Sequence, residues 1–272
     1  MQVIPVTDVS RGFGATRRRD SWWVAPLAVF VGLGTFLVYS TWAAFQNAHY
    51  TFGPYLSPFY APVLWASPDN PAGLEHAWFG AKPGWFPALL PFSPALLILP
   101  FPGLFRFTCY YYRGAYYKAF WADPPSCAVG EPRKSYWGER TLPLVLQNVH
   151  RYFLYVALIF LVILASDVWQ ALWFTGADGA RHFGIGVGTL VLALNVVLLG
   201  SYTLGCHSMR HVIGGYIDQL SRHPVRKKAY DCSSCLNRWH MKWAWMSLFG
   251  VAFADLYVRM CAMGVWSDWR VL

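Results

Sequence analysis

The sequence predicts an all-α membrane protein, a bundle of five transmembrane helices, and three observations predict it. First, 56% of the 272 residues are hydrophobic and only 13% are charged, about half the charged share of an ordinary soluble domain. Second, the apolar residues concentrate in stretches at 22–45, 85–105, 152–174, 184–206 and 243–263, each close to the roughly 20 residues that a helix needs to cross the hydrocarbon. Third, no alternating barrel pattern occurs, and a lipid-exposed backbone without closed strands must satisfy its polar groups within helices. The mean hydropathy of +0.32 agrees.

Taken in order, the elements justify that class. Residues 1–20 are polar and set Arg17, Arg18 and Arg19 just ahead of the first span. That span is too long and too bracketed by Trp for a cleaved signal, so it is expected to remain. The segment 46–83 is rich in Pro, Tyr and Trp, which suits a cap in the aromatic interface belt. The second span carries Pro87, Pro91, Pro94, Pro100 and Pro102, each removing a backbone donor and bending a helix. After it, FTCYYYRGAYYKAF at 107–120 has the aromatic and basic character of a helix lying at headgroup level. The fourth span opens with Gly184, Gly186 and Gly188, small residues that permit close helix contact. In the fifth, Asp255 and Arg259 are four apart and read as a structural ion pair, with a proton path as the alternative.

Charge orients the bundle. With the N-terminus inside, the polar segments on that side, including the loops 106–151 and 207–242, hold eighteen of the 22 Lys and Arg, leaving Lys82, Arg181, Arg259 and Arg270 for the other side. Such an excess places the N-terminus in the cytoplasm and the C-terminus outside. The net charge of +9 is therefore a topology signal. It excludes a nucleic-acid binder, because the charges interrupt membrane spans and form no separate basic domain, and it suits docking of an acidic partner. With no internal repeat or linker, residues 1–272 read as one membrane domain.

Sulfur and imidazole gather at the inner edge. His49, His76, His182 and His223 lie in loops as ordinary surface residues, whereas His150, His207, His211 and His240 recur at the inner ends of spans three, four and five. His207 and His211 are four apart and share a helix face. Ionisable groups at membrane depth are costly and are usually functional. Cys109, Cys127, Cys206, Cys232 and Cys235 fall on the same, reducing side, which favours thiols available as ligands over disulfides, while Cys261 lies near the outer end. Cys232 and Cys235 form a CxxC in a basic loop, with no second CxxC to complete a zinc site. The residues point to a metal or redox centre and leave its kind open. A b-type haem between histidines of different spans, a transporter or sensor with zinc on Cys232, Cys235, His240 and His207, and a cofactor-free structural anchor all remain.

The blocks FGPYLSPFY (52–60), RFTCYYYR (106–113), DPPSCAV (123–129), LQNVHRYF (146–153), YTLGCHSMRH (202–211) and LNRWHMKWAW (236–245) together resemble the five-helix membrane-anchor subunit of actinobacterial succinate dehydrogenase, type F respiratory complex II. The resemblance spans nearly the whole chain. It implies a multi-pass plasma-membrane subunit, not catalytic alone, with a membrane-embedded Rieske-type [2Fe-2S] cluster on two Cys and two His. Such a centre puts thiolates on one iron and imidazoles on the other. Among the residues of the matching blocks it implies Cys109 and Cys127 as thiolates and His207 and His240 as imidazoles, with Cys206, His211 and His150 in reserve. Gln147, Asn148, Arg151, Asn237 and Arg238 are candidates to hold the free ring nitrogens. It further implies a flavoprotein subunit carrying FAD, an iron-sulfur subunit with further clusters, membrane lipid around the spans, and a quinone, expected to be menaquinone, as acceptor. A haem b anchor is the alternative cofactor, and a higher oligomer of the complex is an open possibility.

Overall fold

The computed structural model describes residues 14–16, 18–87, 89–121, 129, 146 and 149–272, and the chain is mostly helical. In chain order the elements are α1 (Val24–Gln46), the hairpin β1 (Thr51–Phe52) and β2 (Tyr55–Leu56), a 3-10 turn at Pro71–His76, α2 (Pro94–Ile98), α3 (Pro100–Phe107), α4 (Tyr110–Phe120), α5 (His150–Gln170), the hairpin β3 (Trp173–Thr175) and β4 (Arg181–Phe183), α6 (Val187–Leu204), α7 (His207–Gly214), a second 3-10 turn at Leu220–Arg222, α8 (Pro224–Asn237) and α9 (His240–Ala262). Among the described residues, α1, α5, α6 and α9 are long and apolar enough to cross a membrane. Leu27, Phe30, Val31, Leu37, Val38 and Trp42 of α1 are exposed, as expected of a helix that faces lipid rather than water.

The expected second span differs. The described residues 85–87 and 89–93 are not helical, and helix begins only at Pro94, breaking at Leu99 before Pro100 resumes it. Pro94 sits in the first turn after Ser93, where a missing N–H costs nothing, whereas Pro100 and Pro102 fall farther in and remove internal bonds. The bent helix is carried across the break by backbone bonds from Leu99 N to Ala95 O and from Gly103 N to Leu99 O, both 2.9 Å.

The chain divides into two compact units, Met1–Leu37 with Arg106–His150, and Val38–Phe105 with Arg151–Leu272. In the first, Phe30 meets Phe120 with ring centroids 4.9 Å apart, and the Arg106 guanidinium donates to the Tyr112 hydroxyl at 2.9 Å. The Phe107 and Tyr116 rings stack at 5.4 Å, and the Tyr116 hydroxyl donates to the carbonyl of Phe107 at 2.6 Å. The stretch 107–120 is thus largely one short aromatic helix, as its pattern predicts.

In the second unit α6 packs along α9, and Leu161 of α5 lies against Gly200 of α6. Its core joins Leu192 of α6 with Ala254 and Val258 of α9, and with Tyr55, Ala171 and Phe174 from the connecting hairpins. Here the expectation for the glycines is corrected. What Gly186 and Gly188 admit is the Tyr55 side chain, since a Cβ on Gly188 would stand 2.5 Å from its ring and one on Gly186 2.2 Å from its hydroxyl. The C-terminal residues close the same end: Val187 N donates to Trp269 O and Ile185 N to Leu272 O, both at 3.0 Å. Asp268 accepts from Gly188 N at 2.9 Å, the Tyr55 hydroxyl at 2.8 Å and the Tyr257 hydroxyl at 2.7 Å, so a side chain 80 residues away caps α6.

The pair Asp255 and Arg259 is fully buried. The guanidinium meets the carboxylate at 3.3 and 3.4 Å and donates to the carbonyls of Ala48 at 2.9 Å and Ala43 at 3.5 Å. Tyr39 donates to the carboxylate at 2.6 Å, and Ser57 donates to its other oxygen. One pair therefore ties the end of α1 and the hairpin loop to the last turns of α9. From that same end the chain returns: the Ser93 hydroxyl donates to Ala44 O at 2.6 Å, while Phe105 meets Tyr202, near the opposite end of α6, with centroids 5.6 Å apart.

Candidate metal centre

Three of the four singled-out histidines open a helix: His150 is the first residue of α5, His207 of α7 and His240 of α9. His211 follows His207 by one turn. His150 and His240 open the spans α5 and α9 and His207 follows the end of α6, so each stands at a boundary between an apolar stretch and a polar one.

In the first unit, Cys109 is buried and sits at the N-cap of α4. The neighbouring Thr108 hydroxyl lies 2.9 Å from Nδ1 of His150, which is itself buried. Thr108 was not singled out in the sequence; its place beside Cys109 in the RFTCYYYR block was the only signal.

In the second unit, His207 and His211 bring their Nε2 atoms to 3.0 Å, with rings edge to face. Cys206 is buried at the N-cap of the same helix. Desolvation first, and the neighbouring His211 and Arg210 charges next, hold His207 below the usual histidine range. His240 takes a different setting: its ring stacks on that of Tyr202, centroids 4.9 Å apart and planes 16° apart. Tyr202, also missed, heads the block that ends in His211.

Among the described residues no three His, Cys, Asp or Glu side chains converge as a metal site. Cys127 and the candidate supports Gln147 and Asn148 lie outside the described residues. Arg151 turns its guanidinium over Tyr152, 5.3 Å from the ring centroid. Asn237 donates to Gly205 O at 2.7 Å and accepts from Arg210 at 3.4 Å, so it fastens α8 to the end of α6. The CxxC expected in a loop is helical: Cys232 and Cys235 are exposed on α8, one turn apart.

Four helices long and apolar enough to cross a membrane, among the described residues, define a multi-pass membrane protein. The chain belongs to the family of the actinobacterial succinate dehydrogenase subunit SdhC, whose sequence profile matches residues 24–264. It is therefore a membrane subunit of succinate dehydrogenase. The fold agrees: a chain of the Mycobacterium smegmatis Sdh1 complex in the apo form is 42% identical, with a TM-score of 0.82 and 94% of each chain covered. Among curated proteins none matches.

Proposed function

We propose that this subunit anchors a succinate:quinone oxidoreductase and relays electrons from an iron-sulfur partner to a quinone through a Rieske-type [2Fe-2S] centre held partly by His207 and His211. Its partners are the flavoprotein, where succinate is oxidised, and the iron-sulfur subunit. The observation that carries the centre is the 3.0 Å approach of the two Nε2 atoms. Two nitrogens bound tetrahedrally to one ion at about 2.0–2.1 Å stand roughly 3.3–3.4 Å apart, so a small opening of this hydrogen-bonded pair would let both imidazoles share a metal. The stacked ring of His240 argues for His211 over His240 as the second imidazole. The thiolates are expected at Cys109 and Cys127, with Cys206 beside His207 in reserve. When bound, such a centre supplies one-electron transfer at a potential raised by its neutral imidazoles. The chain's own part is to fix the direction of those rings and to bury the thiols of Cys109 and Cys206.

Five crossings, with the N-terminus inside, complete the proposal. Helices α5, α6 and α9 alternate, and α1 ends beside the last turns of α9. The segment from Ser93, against Ala44, to Phe105, against Tyr202, supports α2 and α3 as the fifth, bent crossing. The six Lys and Arg between α6 and α9 favour the histidine ends as cytoplasmic.

Low-temperature EPR of the purified complex after reduction by succinate or dithionite tests the centre. A Rieske-type signal is expected, lost in His207→Ala and His211→Ala, kept in His240→Ala, and lost in Cys109→Ser and Cys127→Ser. Sharp visible bands of a reduced haem, or zinc without acid-labile sulfide, would overturn the proposal.

A further inference from the structure

The helical hairpin of α7 and α8 stands outside the spans, between the end of α6 and the start of α9. It is braced throughout. The Arg210 guanidinium donates to the Tyr230 hydroxyl at 2.9 Å and lies over that ring, and Gly214 leaves room for the Tyr230 edge. Arg226 donates to Ile213 O at 2.8 Å and Gly215 O at 2.9 Å, closing the last carbonyls of α7. At its other end α8 is fastened to α6 by Ser233, donating to Leu204 O at 2.7 Å, and by Asn237. Its 14 residues, at about 1.5 Å each, make it roughly 20 Å long.

At the tip sits Tyr216. Its φ is +61°, a left-handed conformation that bulky side chains avoid and that Gly adopts freely. The side chain is fully exposed, at 109% of its reference area. Left-handed Asn47, by contrast, is buried and bonded to Ser67 and Asp69, and left-handed His49, though exposed, is of a residue type that enters this region more readily than Tyr. Holding a large aromatic residue in a costly backbone state and aiming it at solvent, on a rigid support, points to function. Along the same hairpin and its connection, Arg222, Arg226, Lys227 and Lys228 stand against Asp218 and Asp231.

We infer that Tyr216 is the anchor by which this hairpin docks an acidic face of the iron-sulfur subunit, entering a pocket there while the surrounding Lys and Arg steer the encounter. Tyr is enriched at interface hot spots, where a buried aromatic anchor is ringed by weaker polar contacts, and a preset backbone spares the ordering cost of binding. A protein is favoured over a lipid surface because the basic residues are mixed with acidic ones, Lys227 being paired to Asp231 at 2.7 Å, and because Arg226 is turned inward to cap α7. The inference rests on the proposed complex.

The test uses membrane vesicles carrying the full chain and the purified flavoprotein and iron-sulfur heterodimer as probe, with affinity read by co-sedimentation. Tyr216→Ala should weaken binding about tenfold or more, and Tyr216→Gly equally, although Gly relieves the backbone. Tyr216→Trp should bind nearly as the wild type, and Lys228→Glu should slow association and reduce its salt dependence. Wild-type affinity in Tyr216→Gly, with the wild type binding normally, sinks this inference alone; failure of the wild type to bind sinks the complex as well. Hydrogen exchange at residues 215–219 separates the other partner class: protection by the heterodimer is expected, and protection by anionic-lipid nanodiscs without it would overturn the docking.

Discussion

Asp255 and Arg259 show what the sequence can and cannot say about a single residue. Their spacing made an ion pair legible, but the partners that stabilise it, Tyr39, Ser57 and the carbonyls of Ala43 and Ala48, come from stretches some 200 residues away. Removing one member of a buried pair strands the other charge, at a cost of about 3–5 kcal/mol. Arg259→Met should accordingly lower the unfolding temperature of the purified complex sharply, and adding Asp255→Leu should restore part of the loss. A single variant no worse than a surface substitution would show that the pair carries little. Gly188 makes the same point by shape. Its Cβ would collide with the Tyr55 ring, so Gly188→Ala should cost about 1–3 kcal/mol by overpacking, while Gly84→Ala, with open space around it, should be nearly neutral in the same melt.

At the scale of elements, hydropathy located α1, α5, α6 and α9 well, because an apolar stretch of span length has one stable form in lipid. At the second span composition is apolar throughout, but Pro87 and Pro91 disfavour helix, and the described residues 85–87 and 89–93 are not helical. The cap of α6 could not be read at all. Asp268 lies 80 residues from Gly188, and no local signal links them. Asp268→Ala would strand two tyrosine hydroxyls and a backbone N–H, each with a desolvation cost of about 1–3 kcal/mol. The variant should show faster hydrogen exchange at Val187, Gly188 and Val271 while exchange in the middle of α9 stays slow; unchanged exchange at α6 would mean that the C-terminal segment does not hold its start.

For the whole molecule, the arrangement proposed above puts the α7 and α8 hairpin on the cytoplasmic side. Cys232 and Cys235 are exposed there and supply a native probe. A membrane-impermeant maleimide should label them in inside-out vesicles and spare them in right-side-out ones. The reverse pattern would invert the topology and remove the hairpin from the iron-sulfur partner.

By itself the sequence determined the solvent and the helical class. Those follow from hydrophobicity summed over span lengths, a quantity that no long-range contact can alter. Tertiary structure decided which donors meet. It paired His207 with His211, set His240 on Tyr202 and tied His150 to Thr108, because side-chain direction depends on where each helix starts and what packs against it. It also plugged the glycines of α6 with Tyr55, a contact between segments more than 130 residues apart that only chain closure could create.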